Sequence, residues 1–96
     1  MKGKTKSGFK FDIDERIVDD WDLLEAIAMA ESEDVGEQIK GSLKVADLLL
    51  GEEKEALKQF IRNKNDGYVP AAEMTNMIAE IITSVRDLKN SQSSQG

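Results

Sequence analysis

The sequence predicts a mainly α-helical fold, a small bundle of about four helices with an N-terminal β-hairpin. The chain has 96 residues and a 40% apolar composition, which suits one domain with a modest core. Apolar residues alternate near the N-terminus and then recur every three or four positions, and this change indicates strands followed by helices. Residues 1–89 are therefore expected to form a single domain. The polar segment 90–96 contains no apolar residue and is expected to be disordered.

The predicted hairpin covers about residues 4–13. Within it, Phe9, Phe11 and Ile13 alternate with polar residues, as in a strand with one buried face. A serine-glycine pair precedes these residues and is typical of a tight turn. Because two strands alone are marginally stable in water, the aromatic face of the hairpin is expected to cover the helical core.

Two helices are predicted in the first half of the chain. The first begins after Asp20, a suitable N-cap, and ends near residues 32–34. In the second, Gly36 and Gly41 each cost about 1 kcal/mol relative to alanine, so the first half is expected to be weakened and the helical pattern is clear from Ser42. The apolar stripes comprise Trp21, Leu23, Leu24, Ile27, Ala28 and Ala30 in the first helix, and Ile39, Leu43, Ala46 and Leu50 in the second.

Two more helices follow, over residues 52–63 and from Pro70 to about Leu88. Acids open the third helix and bases close it, as the helix dipole favours. The fourth carries the clearest stripe in the chain, with apolar residues at spacings of three and four. The core is expected to include Phe9, Phe11, Trp21, Leu24, Leu57, Phe60, Ile78 and Ile82.

Composition excludes several classes of function. The chain has no cysteine and no histidine, so disulfides, thiolate catalysis, zinc fingers and imidazole chemistry are excluded. No phosphate-binding glycine loop is present, and the serines of the tail have no neighbouring base, so an enzyme is not expected. No apolar run approaches the roughly 20 residues of a membrane span, and a cytosolic protein is expected.

The charge is strongly acidic in one segment. Between Asp12 and Glu37 there are eleven acids and one base, Arg16. Such a surface repels phosphate, so nucleic-acid binding is not expected. The segment is predicted to be a solvated face, and a docking surface for a basic partner is the alternative.

The stretch "NDGYVPAAE" at residues 65–73 is similar to the second half of a calcium-binding EF-hand loop. With Gly67 at loop position 6, Glu73 falls at position 12, as the pattern requires. Positions 1 and 3 then fall on Arg62 and Lys64, whose cationic ends repel a metal ion. The stretch is therefore predicted to be a turn between two helices, with no bound metal and no cofactor.

Part of the fourth helix is a candidate binding surface. Its stripe is about four turns long, and the other helices are expected to be shorter, so part of it is expected to overhang the domain. Methionine repacks easily around different partners. The residues predicted to bind a partner, or a second copy of the chain, are Met74, Met77, Ile81, Val85 and Leu88.

Five stretches together resemble the tail assembly chaperones of long-tailed (siphovirus) bacteriophages and prophages. They are "KTKSGFKFDID" at residues 4–14, "DDWDLLEAIA" at 19–28, "LLLGEEKEALKQFIR" at 48–62, "DGYVPAAEMTNMIAEI" at 66–81 and "KNSQSS" at 89–94. The resemblance covers nearly the whole chain and is one of layout, because none of these strings is a chemically required motif.

The resemblance implies a non-enzymatic protein of the host cytoplasm that binds the tape measure protein during virion assembly and is absent from the mature virion. In many such phages a ribosomal frameshift produces a longer form whose extension recruits tail tube subunits, so the tail tube protein is a second implied partner. Two alternatives remain open from the residues alone. One is a small regulator whose acidic face imitates nucleic acid, and the other is a degenerate EF-hand-like regulatory module.

Overall fold

The computed structural model describes the backbone of residues 1–93 and the side chains of residues 1–87. Within this part the fold is mainly α, with four helices and an N-terminal antiparallel hairpin, which confirms the predicted class. A short 3₁₀ helix at Glu15–Asp19, which the sequence pattern did not predict, joins the hairpin to the first α-helix. The elements are β1 (Lys2–Lys4), β2 (Lys10–Asp12), α1 (Trp21–Ala30), α2 (Val35–Leu50), α3 (Glu53–Lys64) and α4 (Ala71–Ser93).

The hairpin pairs β1 with β2 so that Gly3 lies opposite Phe11. The Phe11 ring lies against Gly3, and a Cβ at that position would lie 2.5 Å from the ring, so a larger residue would displace the buried ring. The turn is closed by Thr5, whose backbone N–H donates to the Phe9 carbonyl at 2.9 Å. The buried Thr5 hydroxyl accepts from the Phe9 N–H at 3.0 Å. The turn is therefore wider than the predicted serine-glycine pair alone.

The hairpin covers the helical core, as predicted. Phe9, Phe11 and Ile13 are buried, and the Phe9 ring meets Phe60 of α3 edge to face, with ring centroids 5.5 Å apart. Two glutamates of the helices bind the backbone of the hairpin. The Asp12 N–H donates to Glu53 of α3 at 2.9 Å, and the Lys6 N–H donates to Glu80 of α4 at 2.6 Å. These side chains satisfy backbone donors that a two-stranded sheet leaves free.

The first two helices are capped by aspartates. Asp20 accepts from the Asp22 N–H at 2.8 Å at the start of α1, which confirms the predicted N-cap. Asp34 accepts from the Gly36 N–H at 3.1 Å at the start of α2. The second helix therefore begins at Val35, seven positions before Ser42, where the sequence pattern first becomes clear. The N-cap offsets part of the cost of the two glycines.

The core is formed by one side of each helix. Of the residues predicted to be buried, Phe9, Phe11, Leu57 and Ile78 are buried, and Phe60 and Ile82 are half-buried against them. The prediction is wrong for Trp21 and Leu24, which are 71% and 41% exposed. Leu24 stands two positions before the buried Ala26, and two positions are about 200° around a helix, so it points away from the core.

The last helix is longer than predicted. It continues to Ser93, past the expected end near Leu88. A disordered tail was predicted for residues 90–96; the backbone is helical as far as Ser93, and residues 94–96 lie outside the described part of the chain.

Candidate functional site

The residues predicted to bind a partner lie mostly inside the protein. Met77, Ile81 and Val85 are buried in the core, and Met74 is half-buried against it. Over these residues α4 does not overhang the domain, so the expectation of an exposed stripe there is corrected. The side chain of Leu88 lies outside the described residues. A partner could reach the buried three only if α4 separated from the hairpin, the 3₁₀ helix and the other helices that pack on it.

The exposed apolar surface lies on the first two helices instead. Among residues 1–87, the large apolar side chains that face solvent are Trp21, Leu24, Val35, Ile39, Leu43 and Tyr68. All but Tyr68 belong to α1 and α2. The antiparallel pair of helices extends beyond the core at its tip, since Gly41 is the sole buried residue between positions 31 and 44 of the described chain. We call residues 31–44 the arm.

The arm carries a continuous apolar stripe on α2. Val35, Ile39 and Leu43 are 65%, 56% and 64% exposed, and residues four apart lie on the same side of a helix. We call these three residues the overhang stripe. Continued by three and four positions, the same side reaches Ala46 and Leu50, which are buried in the core. The overhang stripe is therefore the outer end of a stripe that begins inside the protein.

A second apolar surface lies on α1. Trp21, Leu24 and Ala28 are exposed and follow one another at spacings of three and four, so they are neighbours on one side of the helix. We call these residues the α1 outer face. They point away from the core, because the buried Ala26 lies about 200° from both Leu24 and Ala28.

The arm is held by close contact between the two helix backbones. A Cβ on Gly41 would lie 2.2 Å from the backbone nitrogen of Ala30, so α2 approaches α1 more closely there than any other residue would allow. The loop is ordered by Ser32, whose hydroxyl accepts from the Asp34 N–H at 3.1 Å and donates to Glu37 at 3.3 Å. The overhang stripe lies opposite this contact, because Ile39 is two positions from Gly41.

The surface around both apolar sets is acidic. From residue 17 to residue 39 there is no lysine or arginine. The eight acids of this segment, all exposed, are Asp19, Asp20, Asp22, Glu25, Glu31, Glu33, Asp34 and Glu37. The nearest preceding base, Arg16, is paired with Asp14 at 2.7 Å. Hydrogen bonds from Arg16 lower the pKa of Asp14 to about 2, so this arginine does not neutralise the acidic segment.

The stretch that is similar to an EF-hand loop joins α3 to α4. Asp66 and Gly67 adopt positive φ angles of 56° and 96°, as a tight turn after a helix requires. Glu73 accepts from the side-chain amide of Asn65 at 3.0 Å, and its other oxygen lies 3.2 Å from the Lys64 ammonium. This second oxygen is buried and accepts no hydrogen bond, so its contact with Lys64 is an ion pair alone. These contacts lower the pKa of Glu73 and occupy the carboxylate that a calcium ion would need.

The described residues contain neither a metal-binding cluster nor a membrane-spanning helix. No group of three or more acids there is arranged to hold a metal ion. None of the helices described is both long and apolar enough to cross a membrane.

Known proteins give no family or function for this chain. No family model matches the chain, and neither a curated protein nor a solved structure shows significant similarity to it. The arm and the α1 outer face are therefore the features on which a functional proposal can rest.

The spacing of apolar residues predicted the apolar side of α2 but not its exposure. Ile39 and Leu43 were assigned to the same stripe as Ala46 and Leu50, and Val35 was missed because the helix was expected to start later. The aspartate N-cap at position 34 was the signal that places the start of the helix at Val35, and it extends the stripe by one turn.

Proposed function

We propose that this protein is a non-enzymatic tail assembly chaperone of a long-tailed bacteriophage or prophage, which binds the tape measure protein in the host cytoplasm before the tail tube forms. The resemblance in layout suggests this class. The observation that carries the proposal is the overhang stripe, in which Val35, Ile39 and Leu43 continue the core's apolar surface into solvent. An exposed stripe of this kind is typical of a site that receives an amphipathic helix.

The client would dock as an additional helix beside α2. Full burial of a Val, Leu or Ile side chain contributes about 1.5–3 kcal/mol, and the three residues are already partly covered. Completing their burial therefore contributes roughly 3–5 kcal/mol, which is similar to the smallest estimates of the cost of association. A single contact is thus weak. Weak contacts repeated along a long client protect it while remaining displaceable when tail tube subunits arrive.

The charge of the protein supports the same role. With a net charge of −6, copies bound along a client repel one another and keep the complex in solution. The acids next to the overhang stripe, Glu33 and Asp34, lie at the tip of the arm and are exposed. Lys40 and Lys44 lie on the same helix and make the stripe itself less acidic than the loop.

Co-expression with the tape measure protein of the same genome tests the proposal. The wild-type chain is expected to keep the tape measure protein soluble and to co-purify with it, and the double variant Ile39→Ser/Leu43→Ser is expected to do neither. The matched control is Tyr68→Ser, because Tyr68 is 63% exposed but lies in the loop between α3 and α4. Equal solubility with the wild type and the double variant, at equal expression, would contradict the proposal.

A second candidate is a regulator that captures a basic DNA-binding protein by imitating nucleic acid. The observation in its favour is the run of eight exposed acids without a base between residues 17 and 39. Such capture depends strongly on salt. In a mobility-shift assay the regulator would release its target from DNA at low salt, and the serine variants of the overhang stripe would still do so.

A further inference from the structure

We propose that the α1 outer face is a second docking surface and that its occupant is a basic amphipathic helix of a partner protein. The site is separate from the overhang stripe used in the proposed function, because Trp21, Leu24 and Ala28 belong to a different helix. The inference goes beyond the chaperone role and does not depend on which protein is the client.

Exposure of the tryptophan is the first observation. Trp21 is 71% exposed and Leu24 is 41% exposed, although a tryptophan ring is among the largest apolar surfaces a protein can bury. Tryptophan is also enriched among the residues that contribute most to binding. Trp21, Leu24 and Ala28 together form a large-to-small apolar ridge along one side of α1, which fits the apolar side of another helix.

The second observation is that this ridge has a fixed geometry. Trp21 is the first residue of α1, directly after the N-cap Asp20. The Leu24 N–H donates to the Asp20 carbonyl at 3.2 Å, and the preceding 3₁₀ helix is anchored by the buried Val18. A surface that is already ordered loses little conformational entropy when it binds.

Charge selects the occupant. Asp20 and Glu25 lie within one turn of Trp21, and Glu31 lies within one turn of Ala28, so acids flank the ridge along its length. No ion pair engages Asp22 or Glu25 in the described part of the chain. A helix with lysine or arginine beside its apolar side is therefore attracted, and an acidic one is repelled. The exposed indole ring also favours a cation above its face.

The same charges disfavour other occupants. Nucleic acid and anionic membrane surfaces carry negative charge and are repelled by the acids of this segment. A second copy of the chain docked symmetrically on this face would place Glu25 close to the partner copy's acids. A basic helix satisfies both the apolar ridge and its flanks.

Two synthetic helical peptides test the proposal directly. They share one apolar side and contain no tryptophan; one has lysines beside that side and the other has glutamates. Trp21 is the only tryptophan in the chain, so its fluorescence reports on this face alone. The lysine peptide is expected to shift the emission to the blue in a saturable manner. Binding should weaken by about tenfold between 50 and 500 mM NaCl, because salt screens exposed charges.

Three variants identify the surface. Leu24→Ser is expected to weaken binding of the lysine peptide by about tenfold, as for a central contact residue. Glu25→Lys is expected to weaken the lysine peptide and to admit the glutamate peptide. Ile39→Ser, on the overhang stripe, is the matched control and is expected to leave both affinities unchanged. This control separates failure of the inference from failure of the chaperone proposal.

The inference would be overturned by equal binding of the two peptides, by unchanged affinity in Leu24→Ser, or by the absence of an emission change with either peptide at millimolar concentration. Circular dichroism of each variant checks that the helical fold is retained. Loss of peptide binding in Ile39→Ser, with its fold intact, would likewise overturn it, because the site would then be the overhang stripe.

Discussion

Helices α4 and α2 carry the same apolar pattern and have opposite surroundings. In α4, Met77, Ile81 and Val85 stand four residues apart and are buried; in α2, Val35, Ile39 and Leu43 have the same spacing and are more than half exposed. Periodicity therefore identifies which side of a helix is apolar. It does not show whether another element covers that side.

The cover over α4 is supplied by the 3₁₀ helix, α2 and α3 together with the hairpin. The Ser7 hydroxyl lies 4.0 Å from the Met77 sulfur, and the Lys6 N–H donates to Glu80 one turn further along. The hairpin is more than sixty positions away in the chain, so its contact with α4 is not visible in any local pattern. The first half of α2 projects past the core and has no such cover within the described residues.

The largest difference in stability is expected when one isoleucine side chain in each stripe is truncated to alanine. Ile81→Ala leaves a cavity in the core and should lower the free energy of unfolding by about 2–5 kcal/mol. Ile39→Ala removes atoms that already face water and should change it by less than about 0.5 kcal/mol. Urea denaturation followed by circular dichroism at 222 nm measures both. Similar losses in the two variants would mean that the overhang stripe is covered in solution.

The fold was predictable from sequence where local rules decide the outcome. Alternation identified the hairpin, Asp20 was identified as an N-cap, and the fourth helix was evident from its spacing. Hydrophobicity did not predict the burial of single residues where contacts between distant elements determine it. Trp21 and Leu24 were assigned to the core because residues on all sides of α1 are apolar, and hydrophobicity alone did not distinguish the side of Leu23 and Ala26 from its opposite.

The binding surface was less predictable than the fold. The methionines of α4 were proposed as an adaptable surface from their chemistry, but Met77 is buried beneath the hairpin. The overhang stripe depends on how far α2 extends past its neighbours, which follows from the Asp34 cap and from the close approach at Gly41. A glycine that was predicted to weaken the helix instead permits the arm to form, since only a hydrogen atom fits between the two backbones.

Two glycines of α2 are expected to give changes of intermediate size in the free energy of unfolding when each is replaced by alanine. Gly41→Ala places a methyl group against the Ala30 backbone, so the helices must separate, at a cost of about 1–3 kcal/mol. Gly36→Ala meets only the Asp34 carboxylate at an ordinary 3.6 Å and should stabilise the helix by up to about 1 kcal/mol. The free energies of unfolding of the two variants should therefore change in opposite directions.

Hydrogen exchange locates the effect of Gly41→Ala. Amides at the arm's end of α2 should exchange faster in this variant, and those of α4 should keep the protection of the wild type, because Gly41 lies against Met29 and Ala30 of α1. Uniform loss of protection in both helices would show that the arm and the core unfold as one unit, and the contrast between α2 and α4 would then be one of exposure alone.

The smallest effect is expected in the segment that connects the hairpin to α1. In this segment Asp14 caps the 3₁₀ helix. Hydrogen bonds from Arg16 lower the pKa of Asp14 from its ordinary 3.8 to about 2. Because the pKa is lowered in the folded state, the ionised pair stabilises the fold above about pH 4, and this contribution is lost as the pH falls through 2. Carboxyl NMR should show the low midpoint in the wild type and a higher one in Arg16→Gln. A wild-type midpoint near 3.8 would show that the exposed pair of Asp14 and Arg16 does not form in solution, where solvent screens such contacts.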